Sequence, residues 1–258
     1  MDIVIFCGGR GTRLSEKTKE VPKPLVEIGN FPIIWHIMKI FEHYGHNRFL
    51  LGLGYKGDMI KKWFLDYRLR RSFELNFKKI KLPQSLEDWK ILFKNTGFSS
   101  GTATRLKLLK KDIKSKRFII TYGDGLANIN IKELIKFHEI QVKKHGVIAT
   151  MSTFQPNSQY GLVKPSKNGL VESFEEKSKI DEWINIGFIV CEKEIFKYIP
   201  NKISAMLVKD VFPILANEKK LAMYRHNGEF YSMDTYKDYQ DLNKMWKEGI
   251  AKWKVWKN

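Results

Sequence analysis

The feature that most constrains the fold is an alternation of short apolar runs with amphipathic segments. Four apolar runs have the length and continuity of buried strands, and they cover residues 2–6, 49–53, 118–122 and 147–154. Between them, apolar residues recur at helical spacing over residues 31–44, 56–67 and 131–144. Because parallel strands are joined by helical crossovers, this rhythm predicts an α/β fold with a mixed, mostly parallel sheet and helices on both faces.

Two parts of the chain depart from this alternation. Residues 68–94 are basic and end in SLEDWKILF, and we interpret them as an inserted, partly extended excursion, with an ordinary surface hairpin as the alternative. Residues 235–258 are predicted to be helical and then rich in tryptophan. We expect those rings to be buried against the body of the protein or against a partner subunit. No repeat or low-complexity linker divides the chain, so we expect one domain over 1–258.

The charge balance restricts the class of partner. Lysine and arginine number 46 against 28 acidic residues, a net charge of +18, which fits nucleic acid, an anionic membrane or a phosphorylated substrate. Most of the excess is lysine spread over the chain, whereas proteins that read nucleic acid favour arginine, so we expect no nucleic-acid partner. No apolar run approaches the ~18 residues of a membrane span, and no membrane partner is expected.

The first residues and the cysteines indicate a compartment. The start MDIVIFCGG lacks the basic region and cleavage site of a secretory signal. Two cysteines, Cys7 and Cys191, cannot build a disulfide framework. We therefore expect a cytoplasmic protein with free thiols.

A glycine loop, GGRGTRL over residues 8–14, follows the first predicted strand. Glycines at that place let backbone N–H groups approach an anion, so the loop is a candidate phosphate site. It is not a dinucleotide fingerprint, because Leu14 stands where the third glycine belongs, and it lacks the Gly-Lys-Ser/Thr of a P-loop. A glycine turn that only connects a strand to a helix is the alternative.

A second motif, VPKPLVEIG over residues 21–29, holds Lys23 between two prolines that fix its backbone. Together, the two motifs resemble the signature of sugar-1-phosphate nucleotidyltransferases. The resemblance extends along the chain through PIIWHIMKIF, GYKGDMIKKWF, TYGDGLANINI, SFEEK, WINIGFIV and MDTYKDYQ. It is closest to those members of the family that use CTP and glucose 1-phosphate.

The resemblance implies a Rossmann-like nucleotidyltransferase fold and a reaction of CTP with glucose 1-phosphate, which gives CDP-glucose and pyrophosphate. It also implies a Mg²⁺ requirement, a homo-oligomer and a role in surface polysaccharide biosynthesis. Residues 1–125 would mainly bind the nucleotide. Residues 126–258 would mainly bind the sugar phosphate and supply a helical tail.

By the same resemblance, Arg13, Lys23 and Asp124 are the catalytic residues. Arg13 would hold the β- and γ-phosphates, and Lys23 would bind near the α-phosphate or the incoming sugar phosphate. The implied nucleotide-binding set is Gly8, Gly9, Gly11, Thr12, Arg13, Lys23, Thr96, Ser100, Gly101 and Asp124.

Asp124 and Asp234 are the implied Mg²⁺ ligands, and carboxylate oxygens suit that ion. Asp124 follows the apolar run FIITY between two glycines, so it should point into the cleft at a strand's carboxyl end. Taken without the family, Asp234 would be interpreted as the N-cap of the helix that follows it.

The implied sugar-phosphate site consists of Tyr160, Gly161, Glu176, Lys177, Asn185 and Gly187. Three residues depart from the family pattern: Phe98 replaces an acid, Ser178 a proline and Ile186 a glycine. We expect Ile186 to narrow the sugar pocket. These departures leave open another sugar 1-phosphate or another nucleoside triphosphate. A non-catalytic protein that binds a sugar nucleotide is the remote alternative.

Overall fold

A computed structural model describes residues 1–9, 11–69, 87–158 and 160–257. Its helices are α1 (Ser15–Thr18), α2 (Ile33–His43), α3 (Gly57–Leu69), α4 (Thr102–Leu109), α5 (Ile131–His145), α6 (Phe212–Asn217) and α7 (Tyr236–Lys247). Shorter helical turns cover Thr12–Leu14, Lys23–Leu25, Lys193–Tyr198 and Leu207–Val211.

The strands of the described residues include a central set and several short pairs. They are β1 (Asp2–Cys7), β2 (Glu27–Ile28), β3 (Phe31–Pro32), β4 (Arg48–Leu53), β5 (Lys90–Asn95), β6 (Arg117–Tyr122), β7 (Gly125–Ala127), β8 (Ala149–Phe154), β9 (Leu162–Pro165), β10 (Val171–Glu175), β11 (Ile184–Asn185), β12 (Ile189–Glu192), β13 (Leu221–Arg225) and β14 (Phe230–Ser232).

The central sheet runs in the order β11-β8-β12-β6-β1-β4-β5, and β13 also pairs with β8. Strand β1 is parallel to β4 and β6, β5 is parallel to β4, and β13 is parallel to β8. Strand β12 is antiparallel to β6 and β8, and β11 is antiparallel to β8. The predicted α/β fold with a mixed, mostly parallel sheet is confirmed.

The interpretation of residues 68–94 as an excursion is wrong at its end. Residues 90–94 belong to β5, which pairs in parallel register with β4, from Arg48 opposite Lys90 to Leu53 opposite Asn95. Strand β5 lies at the edge of the sheet, and its residues 91–94 are half-buried. Residues 70–86 of the predicted excursion lie outside the described residues.

The side chains of β1 show how the sheet builds a core on each face. Ile3 and Ile5 belong to one buried cluster, which includes residues of α2, α3 and α5. Val4 and Phe6 belong to a second cluster with residues of α4 and α6. Because β1 is buried on both faces, its sequence is a continuous apolar run. Helices cover both faces of the sheet, as expected.

The tryptophan-rich tail packs on its own chain. Trp253 and Trp256 are buried, and the Nε1 atom of Trp253 donates to Nδ1 of His36 at 3.5 Å. The Nε2 atom of His36 lies 3.0 Å from the carbonyl oxygen of Ile28. Burial lowers the pKa of His36 to about 4, so this imidazole is neutral at pH 7. The body of the protein, and not a partner subunit, therefore covers these two rings.

Among the described residues, no helix combines the length and apolarity that crossing a membrane would require.

Candidate active site

A cleft of about 400 Å³ opens at the carboxyl ends of β1 and β6. Ligands of open α/β sheets bind at this edge. The glycine loop after β1 borders the cleft on one side, and Ser99 and Ser100 before α4 border it on another. Lys23, Asp124 and Asp234 also line it.

The two aspartates are brought together by a short pair of strands. Strands β7 and β14 are antiparallel, and Gly125 stands opposite Ser232. Next to this pair, the backbone N–H of Met233 donates to the carbonyl oxygen of Asp124 at 3.0 Å. Asp124 precedes β7 directly and Asp234 follows β14 by one residue, so their side chains reach the same place.

Lys23 lies between the two carboxylates. Its Nζ atom is 2.8 Å from Oδ2 of Asp124 and 2.8 Å from Oδ1 of Asp234. Pro24 positions it, because a Cβ atom on Gly123 would lie 2.9 Å from Cγ of Pro24. The glycine before Asp124 therefore serves the close packing of the Lys23 turn on β6.

These contacts favour the charged forms of Lys23 and Asp234. Burial disfavours the charged form of Lys23, but Asp124 and Asp234 outweigh it and raise the pKa of Lys23 above its usual value. Burial also disfavours the ionised form of Asp234, but Lys23 and then Arg13 outweigh it and lower the pKa of Asp234. At pH 7 the cleft therefore holds fixed charges of both signs.

Arg13 adds a second cation at the mouth of the cleft. It lies in the helical turn Thr12–Leu14, whose Leu14 side chain is buried. Its Nη1 atom is 3.6 Å from Oδ1 of Asp234, and its side chain is 78% exposed. A long contact and high exposure leave the guanidinium accessible to an anion in the cleft.

Asp234 is not the N-cap of α7. Thr235 is the cap: its Oγ1 accepts from the backbone N–H of Asp238 at 3.1 Å, and the Asp238 carboxylate accepts from Thr235 N. This capping box leaves the carboxylate of Asp234 to Lys23 and Arg13. The interpretation of Asp234 as a cap is thus wrong.

Sequence reasoning missed Arg105, a residue that is only 4% exposed and whose guanidinium contacts the glycine loop. Nη2 donates to Gly8 O at 3.3 Å, and Nη1 donates to Thr96 Oγ1 at 2.6 Å and to Gly97 O at 2.9 Å. Burial lowers its pKa. Arg105 ties the glycine loop to the 96–98 segment. Its only sequence signal was a place in the first turn of a helix that follows a glycine-rich loop.

Three of the predicted nucleotide-binding residues have structural partners. Thr96 is buried, donates to the carbonyl oxygen of Leu53 at 2.7 Å and lies outside the cleft lining. Gly101 lets the backbone of Ala205 approach closely, because a Cβ atom at Gly101 would lie 2.1 Å from the carbonyl oxygen of Ala205. Gly8 likewise has no room for a Cβ beside Arg105. The cleft is lined by Gly8, Gly9, Gly11, Thr12, Arg13, Lys23, Ser100 and Asp124.

Tyr122 connects this cleft to the predicted sugar residues. Its side chain lines the cleft close to Asn185, and burial raises its pKa to about 12. The ring also packs on Gly187, where a Cβ would lie 3.1 Å from Cδ2 of Tyr122. Gly187 has φ of +78°, which favours glycine. Asn185 and Gly187 therefore lie beside the cleft.

The other sugar-site residues gather at the β9–β10 hairpin, where Gly161 is half-buried and the other three are exposed. A Cβ on Gly161 would lie 3.0 Å from Oε2 of Glu176, so these two are adjacent. Tyr160 and Lys177 flank them in the chain, and Lys177 has φ of +56°. These four residues do not line the cleft described above, and their sugar-binding role stays a prediction.

Ile186 does not occupy the place we expected. Its side chain is 3% exposed, so it offers a ligand almost no surface. Its backbone N–H donates to the carbonyl oxygen of Ser152 at 3.1 Å, in the break between β11 and β12. The expectation that it narrows a sugar pocket from within finds no support in this packing.

Among the described residues, no group of three or more His, Cys, Asp and Glu side chains gathers into a metal site. Asp124 and Asp234 are a pair, so a metal bound there would need further oxygens from a substrate or water. The thiols of Cys7 and Cys191 are buried, and burial raises the pKa of each. Neither thiol has the exposure of a nucleophile.

Comparison with known proteins identifies a family model and relatives that match this chain over nearly its full length. The family model described as "Nucleotidyl transferase" matches residues 3–253. A probable glucose-1-phosphate cytidylyltransferase of Bacillus subtilis is 42% identical over 99% of this chain and 100% of its own length. The glucose-1-phosphate cytidylyltransferase of Salmonella typhimurium is 38% identical over 99% and 100%.

A solved structure agrees with the fold. The crystal structure of HddC from Yersinia pseudotuberculosis superposes with a TM-score of 0.68 and 24% identity, and covers 95% of this chain and 99% of its own. The motifs, the cleft at the sheet's carboxyl edge and the full-length matches agree. The chain belongs to the nucleotidyl transferase family.

Proposed function

We propose that this nucleotidyltransferase transfers the cytidylyl group of CTP to glucose 1-phosphate and forms CDP-glucose and pyrophosphate. The observation that carries nucleotidyl transfer is the placement of Lys23 between Asp124 and Asp234 beside a glycine loop. The choice of CTP and glucose 1-phosphate is supported by the names of relatives that are 38–42% identical over their full length.

The chemistry needs positioning and positive charge more than proton transfer. An ionised oxygen of glucose 1-phosphate forms a bond to the α-phosphorus of CTP. The bond from that phosphorus to the oxygen bridging to the β-phosphate breaks, and its electron pair leaves with pyrophosphate. Both reactants are polyanions, so the site must hold them in line and offset their repulsion.

The described residues can meet these requirements. The backbone of the glycine loop approaches the triphosphate, and Gly9 has open space where a Cβ would stand. Arg13, exposed at the mouth, stabilises the charge on the leaving pyrophosphate. Lys23 donates to the transferred phosphate and holds the incoming phosphate near it.

Asp124 and Asp234 fit a divalent cation. Both offer hard carboxylate oxygens, and each accepts a hydrogen bond from the same ammonium group, so they already converge on one positive charge. When bound, Mg²⁺ neutralises phosphate charge and polarises the α-phosphate. Because the pKa of Asp234 is lowered, its carboxylate is ionised at neutral pH and can bind a cation.

The sugar half of the proposal is supported by the packing of Tyr122 on Gly187, close to Asn185. It puts Asn185 next to the nucleotide cleft, and Glu176 beside Gly161 then supplies an acceptor for sugar hydroxyls. Residues 1–125 would mainly hold CTP and residues 126–258 the sugar phosphate. We also propose a cytoplasmic homo-oligomer that supplies CDP-glucose for surface polysaccharide.

A matrix of nucleoside triphosphates against sugar 1-phosphates, followed by pyrophosphate release, tests the substrates. We expect the largest kcat/KM for CTP with glucose 1-phosphate. A larger value for another pair would reassign the substrates and retain the reaction. Absence of pyrophosphate release from every pair would contradict enzymatic function and favour a sugar-nucleotide-binding protein.

A further inference from the structure

Lys56 adopts a backbone conformation that ordinarily belongs to glycine. It is the third residue of a turn over residues 54–57, in which the backbone N–H of Gly57 donates to the carbonyl oxygen of Gly54 at 3.1 Å. The φ angle of Lys56 is +51°, in the left-handed region that favours glycine at this place in a turn. Residues with such strained backbones cluster at functional sites, so the side chain of Lys56 is a candidate for a function.

This side chain reaches the segment that follows the glycine loop. The Nζ atom of Lys56 donates to the carbonyl oxygen of Thr18 at 3.4 Å and to that of Lys19. Both carbonyl groups lie at the carboxyl end of α1, where the last carbonyls of a helix lack partners within it and a cation is favoured. Lys56 therefore holds the end of α1 to the 54–57 turn.

Thr18 passes this constraint on to the glycine loop. It is 4% exposed, and its Oγ1 atom lies 2.9 Å from the carbonyl oxygens of both Gly11 and Leu14. A Cβ atom on Gly11 would lie 2.8 Å from Cγ2 of Thr18, so the two residues are in close contact. Arg13 stands between Gly11 and Leu14, and Thr18 therefore holds the backbone on both sides of it.

The same turn also contacts the beginning of the loop. The backbone N–H of Tyr55 donates to the carbonyl oxygen of Gly8 at 3.4 Å. A Cβ atom on Gly54 would lie 2.9 Å from Cα of Gly8, so the two backbones touch. The turn follows β4, the parallel neighbour of β1, and therefore lies at the same edge of the sheet as the loop. Residues 54–57 thus contact the loop at its start and, through Lys56, beyond its end.

We propose that Lys56 is a positioning residue for nucleotidyl transfer, which holds the glycine loop in the conformation that binds the triphosphate. The inference rests on the proposed function, which assigns the loop and Arg13 to that group. Because the Arg13 side chain is 78% exposed and its contact with Asp234 is 3.6 Å long, the backbone that carries it decides where it lies. Lys56 does not line the cleft, so it acts through the loop and not on the substrate.

Calorimetry on the full chain tests this role, with CTP and inorganic tripolyphosphate as ligands in the presence of Mg²⁺. Lys56→Gly removes the ammonium group but suits the backbone, because glycine adopts the left-handed region without strain. It should weaken the binding of both ligands by a similar factor, about 5- to 20-fold, the value of a lost hydrogen bond. KM for CTP should rise, and KM for glucose 1-phosphate should stay unchanged. Lys56→Arg keeps a cationic donor for the two carbonyl groups and should restore both affinities.

Lys219→Gly is the matched control. Lys219 has φ of +57°, is exposed and does not line the cleft, so its replacement makes the same backbone change away from the loop. It should leave both affinities unchanged. Affinities in Lys56→Gly equal to those of the wild type, or an equal rise of both KM values, would overturn the proposal. If the wild-type chain bound no nucleotide, the proposed function itself would fail.

A double variant distinguishes action through the loop from direct contact with the phosphates. Thr18→Val removes the hydroxyl beside Gly11 and Leu14 and should itself weaken the binding of CTP. If Lys56 acts through Thr18, the variant that carries both Lys56→Gly and Thr18→Val should lose less affinity than the product of the two single factors. A loss equal to that product would make Lys56 an independent ligand of the phosphates and would overturn its positioning role.

Discussion

The ammonium nitrogen of Lys23 lies 2.8 Å from Oδ2 of Asp124, although 101 positions separate the two residues in the chain. Their meeting depends on the residues next to them. Pro24, which follows Lys23, packs on Gly123, which precedes Asp124. A proline fixes the turn that carries the lysine, and a glycine without a side chain lets that turn approach β6. The charged pair is therefore set by backbone packing as well as by attraction.

Gly123→Ala should separate this pair. The new Cβ atom would lie 2.9 Å from Cγ of Pro24 and 3.1 Å from the carbonyl oxygen of Phe6, so the Lys23 turn must shift. A shift of about 1 Å can cost about 10²-fold in turnover. We expect kcat to fall by that order while the far-ultraviolet circular dichroism spectrum stays that of the wild type.

Gly52→Ala is the matched control for this substitution. Gly52 lies in the same sheet, and a Cβ there would meet its nearest atom, Cδ1 of Leu109, at an ordinary 3.6 Å. Its kcat should be that of the wild type. If Gly123→Ala kept full activity, the packing of Pro24 would not position Lys23.

Arg105→Lys should loosen the wall of the cleft. A lysine keeps the charge but cannot reach the carbonyl groups of Gly8 and Gly97 together with the hydroxyl of Thr96. Buried acceptors left without a partner cost about 1–3 kcal/mol. Urea denaturation should show a loss of that size, and KM for CTP should rise. Lys111→Met, at an exposed lysine of the same region, is the control. Equal stability of the two variants would contradict the role of Arg105 in holding the glycine loop to the 96–98 segment.

Much of the fold could be predicted because the patterns involved are local. The glycines after β1 and the apolar face of α2 lie within short stretches, and each sets its own structure. The mostly parallel sheet and the cleft at the carboxyl ends of its strands followed from that rhythm, but the order of the strands did not. Local pattern also placed Asp124 correctly, at the end of an apolar strand.

The rest depended on contacts between distant segments. Arg105 receives its role from acceptors on three separate segments, at Gly8, Leu53 and Thr96, and no spacing in the sequence joins them. The freedom of Asp234 depends on Thr235 taking the cap. The burial of Ile186 depends on how β11 and β12 break beside β8, which a family pattern of glycines does not reveal.

The stability of the fold at acid pH should depend on Asp2. Its carboxylate accepts from the N–H groups of Lys114 and Ser115 at 2.6 and 3.0 Å and pairs with Arg48. Burial opposes ionisation, but these partners outweigh it and lower the pKa of Asp2. A lowered folded pKa means that the ionised group stabilises the fold above the unfolded value of about 3.9, and that this contribution disappears as the pH falls through the folded value.

Asp2→Asn should therefore lose about 1–3 kcal/mol of unfolding free energy at pH 7, and the difference from the wild type should shrink below about pH 4. Chemical denaturation across that pH range measures it. Asp58→Asn, at a side chain that is 96% exposed, should show no such pH-dependent difference. A gap between Asp2→Asn and the wild type that stayed constant down to acid pH would exclude ionisation as its cause.

Tyr122→Phe tests the connection between the two halves of the site. The substitution removes the hydroxyl, which lies close to Asn185, but keeps the ring that packs on Gly187. We expect KM for the sugar 1-phosphate to rise about 5- to 20-fold, the value of one hydrogen bond of about 1–1.5 kcal/mol, with KM for CTP unchanged. Steady-state kinetics with each substrate varied separately measures both KM values. A rise confined to the KM for CTP would assign Asn185 to the nucleotide site.

The metal assignment can be measured without turnover. Asp124→Asn should weaken the binding of Mn²⁺, a paramagnetic substitute for Mg²⁺, to the complex with CTP by at least about tenfold, because one of two carboxylate ligands is lost. Electron paramagnetic resonance of free Mn²⁺ follows this directly. The exposed variant Asp58→Asn should bind Mn²⁺ like the wild type. Equal affinities in all three proteins would remove Asp124 from the metal site.

In the proposed reaction, a sugar phosphate in this cleft attacks the α-phosphorus of CTP and breaks its bond to the oxygen that bridges to the β-phosphate. CTP labelled with ³²P at the α-position, incubated with glucose 1-phosphate, Mg²⁺ and the protein, tests it most directly. We expect the label to appear in CDP-glucose, pyrophosphate to stay unlabelled, and Lys23→Ala to abolish the transfer. Label recovered in CMP, or left in CTP while glucose 1-phosphate is present, would contradict it.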